Sequence, residues 1–320
     1  MKDKDQYQPI TPVDGTVMPR FAGPSTFARL PELRDVDRCD IAVLGVPFDA
    51  GTSYRPGARF GPQAIRQASR HLRTQYHPGY DCEPFKALQV ADAGDVGCNP
   101  FNIAEAIEQI ERDASALLDQ VEAIVTLGGD HTIAVPLLRT MHSRHGPVAL
   151  VHFDAHLDTW DTYFGAPFTH GTPFRRAAEE GLFRDDASMH VGIRGPLYSR
   201  LDLKNDEELG FRVIHCDEFQ TSTPQQVAKR IRERVGDYPV YLSIDIDVLD
   251  PAHAPGTGTP EIAGLTTREI VQVFRDLAGI NLVGADIVEV SPAYDHAELT
   301  SLAAATIAFE MINLIASKNR

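Results

Sequence analysis

The 320-residue sequence is short of cysteine, basic residues and long apolar runs, and each shortage removes a class of protein. Its four cysteines, Cys39, Cys82, Cys98 and Cys216, share no CxxC spacing. In a chain this long they read as reduced, mostly buried thiols and not as a disulfide framework. Lysine and arginine number 30 against 45 acidic residues, and the formal charge of −15 argues against nucleic acid or an anionic membrane as partner. Nowhere do 18 apolar residues run together, which predicts no membrane span. The start, Met1-Lys2-Asp3-Lys4-Asp5-Gln6, is charged and carries no apolar signal segment, so a cytoplasmic protein is expected.

What remains is ample for a full core, since 43% of the residues are hydrophobic. Residues 1–36, with Pro9, Pro12, Pro19, Pro24 and Pro31, read as an extended arm laid over the body, and 37–320 as a single domain. Eight short apolar runs are strand candidates: 40–46, 87–92, 122–127, 147–153, 188–193, 211–215, 239–246 and 282–288. Amphipathic stretches at 102–119, 132–144, 224–235 and 266–278 separate several of them. Runs apolar on both faces, alternating with helices, predict an α/β fold with a parallel sheet covered on both sides. The economical form is one three-layer αβα sandwich, and a closed eight-stranded barrel is the alternative that periodicity leaves open. Either form places ligands at the carboxyl ends of the strands.

Three polar clusters sit at predicted strand ends. Gly128-Gly129-Asp130-His131-Thr132 follows the run 122–127, and its two glycines let the chain turn sharply and leave His131 at the sheet edge. His152-Phe153-Asp154-Ala155-His156-Leu157-Asp158 follows 147–153, and alternation would put Asp154, His156 and Asp158 on one side. Ser243-Ile244-Asp245-Ile246-Asp247 ends the run 239–246, with Asp245 and Asp247 on one face by the same rule. Each has an ordinary reading as well. A histidine after Gly-Gly is commonly a hydrogen-bonded core residue, and Asp-x-Asp at a strand end is commonly a pair of turn formers. His152 reads as hydrogen-bonded core, Asp250 before Pro251 as a turn former, and Asp130 as a partner of the turn or of a ligand histidine.

Together the clusters are harder to explain as structure alone. Four carboxylates and two imidazoles at one sheet edge would repel and resist ionisation unless cations intervened. A pair of divalent ions balances the four negative charges. Oxygen-rich donors with some imidazole and no thiolate favour Mn2+ or a similar ion over structural zinc.

With Pro19-Arg20-Phe21-Ala22-Gly23, Gly57-Ala58-Arg59-Phe60-Gly61-Pro62 and Glu289-Val290-Ser291-Pro292 added, the chain resembles the ureohydrolases, the family of arginase and agmatinase, over nearly its whole length. The resemblance implies a parallel eight-stranded αβα fold and hydrolysis of a guanidino compound to urea and an amine. It implies two manganese ions, one held by His131, Asp154, Asp158 and Asp245, the other by Asp154, His156, Asp245 and Asp247. It further implies that Asp158 orients the attacking hydroxide and Glu289 grips the guanidinium. His170, in Thr169-His170-Gly171-Thr172-Pro173, would shuttle a proton, and the assembly would be a trimer or hexamer.

The substrate is read from the segment 159–169. It holds no lysine or arginine, and Trp160 stands where arginases place an asparagine. Trp160 and Asp161 together suit an ammonium tail, by cation–π and ionic contact, and favour agmatine, with putrescine and urea as products. Arg194 and Arg200 could instead reach a carboxylate, which keeps guanidinobutyrate and guanidinopropionate in view. The run Thr52-Ser53-Tyr54-Arg55-Pro56-Gly57-Ala58-Arg59 resembles proclavaminate-type amidinohydrolases. A deacetylase of similar fold would use one metal, and a non-catalytic, metal-binding family member would be expected to lack ligands or Glu289.

Overall fold

The eight strands are β1 Ile41–Gly45, β2 Val90–Asp95, β3 Ala123–Leu127, β4 Ala149–Phe153, β5 Met189–Ile193, β6 Arg212–His215, β7 Val240–Asp245 and β8 Leu282–Val288. They come from a computed structural model that describes residues 7–318; the charged segment 1–6 lies outside the described residues. All pair in parallel, in the order β2-β1-β3-β8-β7-β4-β5-β6. The sheet is open, with β2 and β6 at its edges, so the barrel alternative falls.

Alternate residues of each central strand enter two separate cores, which is why the runs are apolar throughout. Val43, Val125, Leu127, Val151, Phe153, Leu242 and Ile287 face one core, and Ala42, Leu44, Ile124, Leu150, Tyr241 and Val283 face the other. Each fully buried Leu, Ile or Phe contributes about 1.5–3 kcal/mol. Helices α1 Gly61–Ser69, α7 Pro224–Val235, α8 Thr267–Asp276 and α9 Leu299–Ser317 supply apolar side chains to the first core, and α3 Ile103–Leu118, α4 Ala134–His145 and α5 Pro173–Glu179 to the second. The result is a three-layer αβα sandwich. Capping boxes of Thr223 with Gln226 and Thr266 with Glu269 start α7 and α8.

Two elements depart from expectation. The second strand runs from Val90, not residue 87, because Pro84 starts a one-turn helix, α2 Pro84–Ala87, just before it. The strand then runs on past the expected end at residue 92 to Asp95, so two carboxylates lie on it. Arg66 makes this tolerable by pairing with Asp92 at 2.8 Å and Asp95 at 2.5 Å. Helix α9 is long and apolar enough to pass for a membrane span, with mean hydropathy 1.6, but 78% of that stretch is buried inside the protein as a core helix. Its Glu310 is held by His77 at 3.2 Å and Arg275 at 3.0 Å.

The arm packs down where described. Phe27, Ala28 and Leu30 are buried, and Gln89 Oε1 accepts from Tyr7 Oη at 2.9 Å and Ile10 N at 2.7 Å. A short helix, α6 Asp202–Glu208, lies between β5 and β6.

Candidate metal centre and active-site cavity

Four adjacent strands, β3, β8, β7 and β4, deliver the site at their carboxyl ends. His131 follows β3, Glu289 follows β8, Asp245 ends β7 with Asp247 just beyond, and Asp154, His156 and Asp158 follow β4. Residues more than a hundred positions apart thus meet because their strands are neighbours.

The convergence does not arise by strand alternation. β4 stops at Phe153, so Asp154, His156 and Asp158 lie on the loop after it, and Asp158 is left-handed at φ 55. β7 stops at Asp245, whose carboxylate accepts Asp247 N at 2.8 Å and starts a 3-10 turn. Asp154 likewise accepts His156 N at 2.6 Å, within the bend after β4. The carboxylates therefore shape the turns that gather them. Glu289 is left-handed too, at φ 63, pinned by its N–H donating to Gly129 O at 2.8 Å. Strain of about 1–3 kcal/mol at such positions persists where surrounding contacts over-determine the backbone.

His131 Nδ1 lies 3.0 Å from Asp158, 3.4 Å from Asp154 and 3.5 Å from Asp245, is buried, and makes no well-directed hydrogen bond to any of them. Its other nitrogen, Nε2, is 2.9 Å from Ser243 Oγ, which donates to Asp286 Oδ1 at 2.8 Å. Tyr241 Oη donates to the other Asp286 oxygen at 2.6 Å. An acceptor chain ending in a carboxylate keeps a proton on Nε2 and makes Nδ1, which faces the acids, the nitrogen available to a cation. The second group closes around His156 Nδ1, 3.2 Å from Asp247 and 3.3 Å from Asp154.

The electrostatics of this pocket call for cations. Burial and then the neighbouring Asp247 push Asp245 well above the usual carboxylate range. Burial and then Asp154 push Asp247 up to about 6. Burial opposes a charged His131, but Asp154, Asp158 and Asp245 outweigh it and raise its pKa. Asp154 goes the other way: burial opposes its charge, but His152 and the neighbouring imidazoles outweigh that and hold it below the usual range. An orphaned buried imidazole nitrogen beside Asp158, Asp245 and Asp247, which resist ionisation, is what a divalent pair would relieve, so the donor set fits the implied metals. His131, His152, Asp154 and Asp158 form one compact donor group and Asp154, His156 and Asp247 another, sharing Asp154; Asp245 stands beside the first, and the His152 nitrogens are engaged by Asp154 and His190.

Glu289 Oε1 accepts from His131 N at 2.9 Å and lies 3.2 Å from His170 Nδ1, while Oε2 is buried without a partner. His170 Nε2 is 2.7 Å from Ser53 Oγ. Burial works against charge on His170, but Glu289 outweighs it and pushes the pKa up to about 9. Asp130 caps the turn at Thr132 N, 2.9 Å, and accepts Gly51 N at 2.7 Å, so it ties the turn to the loop after β1. His152 is fully buried, with Nε2 2.8 Å from Asp154 and Nδ1 2.7 Å from His190 Nδ1.

Above these groups opens a cavity of about 770 Å³, lined by His156, Asp158, His170 and Asp245 together with Ser53, Arg55, Trp160, Tyr163, Tyr198, Thr259 and Glu261. Trp160 packs edge-on to Tyr198 at 5.4 Å, and its ring lies against Gly171, where a Cβ would come within 2.9 Å. Tyr163 and Tyr198 hydroxyls are 2.6 Å apart. Asp161 is not in this lining. Its carboxylate pairs with Arg176 at 2.7 Å on the outer surface.

Arg194 is also turned away from the cavity. It donates to the backbone carbonyls of Asp247, Val248, Leu249, Glu261 and Ile262, clamping the loop behind the site. Arg200 is exposed and does not line the cavity. Arg55 does line it, with its guanidinium over the rings of Tyr54 and Tyr294 and no acidic partner among the described residues. Sequence reading passed over Arg55 as part of a shared run, and over Ser243 and Asp286. Aspartate inside the apolar run 282–288 was the available signal for Asp286.

An open parallel sheet carrying these donors at its carboxyl edge defines a metal-dependent hydrolase. The chain belongs to the arginase family, whose sequence model matches residues 39–313. Guanidinobutyrase of Pseudomonas aeruginosa is 45% identical over 97% of this chain and 97% of that protein. The mitochondrial agmatinase of Gallus gallus is 43% identical, covering 94% and 88%. Among solved structures, proclavaminate amidinohydrolase of Streptomyces clavuligerus superposes with a TM-score of 0.89 at 43% identity, covering 94% of this chain and 99% of that one.

Proposed function

We propose that this protein hydrolyses a short ω-guanidino carboxylate, such as guanidinobutyrate or guanidinopropionate, to urea and an amino acid, with two manganese ions at the donor cluster. The observation that carries this choice over agmatine is Arg55, a cation without an acidic partner among the described residues, in the same cavity as the site carboxylates. Asp161, on which an ammonium tail would have relied, is already bound to Arg176. A methyl built at Gly258 would sit 3.1 Å from Arg55 O and 3.4 Å from Glu289 Oε2, so the Arg55 backbone and the Glu289 carboxylate flank one point. Arg55 thus enters the cavity from a backbone position beside the proposed guanidinium grip.

His131, Asp154, Asp158 and Asp245 would hold one ion and Asp154, His156, Asp245 and Asp247 the other. When bound, a metal pair activates water near neutral pH. Glu289 Oε2, buried and unpartnered, accepts N–H from the guanidinium and fixes it. Asp158, 3.0 Å from His131 Nδ1, stands at the cavity floor to orient the nucleophile's proton. His170, held by Glu289 on one nitrogen and Ser53 on the other, is protonated at neutral pH and has a proton for the departing amine.

Agmatine is the second reading, favoured by the Glu261 carboxylate at the cavity rim and by the aromatic faces of Trp160, Tyr163 and Tyr198. Urea release after Mn2+ loading, compared across guanidinobutyrate, guanidinopropionate, agmatine and arginine, separates the two. A higher kcat/KM for agmatine than for either acid would overturn the carboxylate choice.

A further inference from the structure

Helix α6 is held to the protein in an unusual way: the side chain it buries is an aspartate, Asp206, while its other residues face solvent in whole or part. A fully buried carboxylate is strongly disfavoured without partners. Asp206 Oδ1 accepts Thr159 Oγ1 at 3.0 Å and lies 3.1 Å from His190 Nε2. His190 on β5 sits in register with His152 on β4, their Nδ1 atoms 2.7 Å apart. His152 Nε2 then reaches Asp154 Oδ2 at 2.8 Å. Asp154, His152, His190 and Asp206 are all fully buried.

Aromatic rings fix the two imidazoles in place. His190 stacks on Phe211 with centroids 3.9 Å apart, and His152 packs on Phe174 at 4.3 Å. The chain of contacts also closes on itself. It leaves the segment 154–159 at Asp154 and returns to it at Thr159, so it brackets the run that carries His156 and Asp158. Thr159 adjoins Trp160 of the cavity wall, and α6 follows the loop bearing Tyr198 of the same wall.

We propose that Asp206, acting through His190 and His152, is a positioning residue that clamps segment 154–159 from both ends and so sets the affinity of the site for its metal ions. None of its atoms touches the donor cluster itself. A buried polar chain that merely docked α6 would affect folding alone. One that orients the Asp154 carboxylate must also alter how tightly cations are held. The inference rests on the metal-centre reading of the site.

The test is Mn2+ binding by calorimetry to the metal-stripped full chain, with apo-protein melting and circular dichroism as the control for folding. Asp206→Ala is expected to weaken Mn2+ binding by about tenfold or more, as loss of a partner behind a metal ligand does. Asp206→Asn, whose amide can donate to His190 Nε2, is expected to stay within about threefold of the parent, because the chain of contacts survives. His190→Phe keeps the ring on Phe211 and cuts the chain, so it should lose affinity as Asp206→Ala does. Folded Asp206→Ala or His190→Phe protein with parental affinity overturns the positioning role. If neither variant folds, the chain is a structural strut and the proposal also fails. Absence of Mn2+ binding by the parent would overturn the metal-centre reading itself.

Discussion

The backbone N–H of His131 donates to Glu289 Oε1 at 2.9 Å, joining the turn after β3 to the residue after β8. One oxygen of Glu289 is thereby committed to the protein and the other, Oε2, is left for a ligand. Glu289→Gln should keep the first contact, because an amide oxygen still accepts, and lose the charge that pairs with a guanidinium. Hydrogen bonds to charged groups are worth about 1.5–3 kcal/mol, so kcat/KM should fall by about tenfold to a hundredfold. Bound metal should be unchanged. Urea assay and elemental analysis on the same sample check both, and an unchanged kcat/KM would end the guanidinium role.

Asp245→Asn isolates charge from geometry in the same manner. The side-chain oxygen can still accept Asp247 N and keep the 3-10 turn. The negative charge 3.5 Å from His131 Nδ1 is lost. Metal content should drop at both positions if Asp245 is shared, and added Mn2+ should raise Tm less than in the parent, since ligand stabilisation follows affinity. Full metal content after dialysis would refute the shared-ligand assignment.

How much of this was legible beforehand varies with the physics. The six inner strands were, because burial on both faces leaves an unbroken apolar run that needs no partner information; the edge strands β2 and β6 are partly exposed and showed only as weaker runs. The three donor clusters were, because polar residues at the ends of such runs stand out. Their local geometry was not. Asp158 and Glu289 adopt a backbone that non-glycine residues rarely take, and only tertiary contacts hold them there. The fates of Asp161, Arg194 and Arg55 were not legible either. Whether a loop charge faces a cavity, a backbone or a neighbouring arginine depends on partners that sequence separation hides. Asp206 is the clearest case, since its helix reads as an ordinary solvated acidic face.

Arg55→Gln should discriminate among substrates and leave the metals alone. The change removes the one cavity-lining cation without an acidic partner among the described residues. A carboxylate contact of this kind is worth about 1.5 kcal/mol or more, so kcat/KM for guanidinobutyrate should fall by about tenfold. Agmatine turnover should hold steady or rise, because a repelling charge is gone. Equal losses for both substrates would show that Arg55 serves the loop and not the carboxylate.

Thiol chemistry offers a check on the packing. Burial pushes Cys39 up to about 11, and its Sγ lies 3.0 Å from Ile41 O. At pH 8 only about one such thiol in a thousand is ionised, and the thiolate is the reactive form. Cys82 and Cys216 are buried as well, whereas Cys98 is half-exposed. Native protein at pH 8 should therefore label with a thiol reagent at Cys98 first, and the remaining three should react only on unfolding. Rapid labelling of Cys39 in the native state would contradict the arrangement of β1 against β2.

The sole tryptophan of the chain, Trp160, lines the cavity, so tryptophan fluorescence, excited selectively over the tyrosines, reports on that wall alone. Its indole is half-buried between Tyr198 and Gly171, with Nε1 buried and unpartnered. A ligand seated against the ring would exclude water from its open face, which shifts indole emission to shorter wavelength. Titration of the Mn2+-loaded protein with a slowly turned-over guanidino acid should give a saturable blue shift. The half-saturation point should match the inhibition constant of the same compound in the urea assay. Trp160→Phe should abolish the signal while the inhibition survives with a changed constant. Inhibition with no spectral change in the parent would place the bound tail away from Trp160, toward Arg55 and the opposite wall.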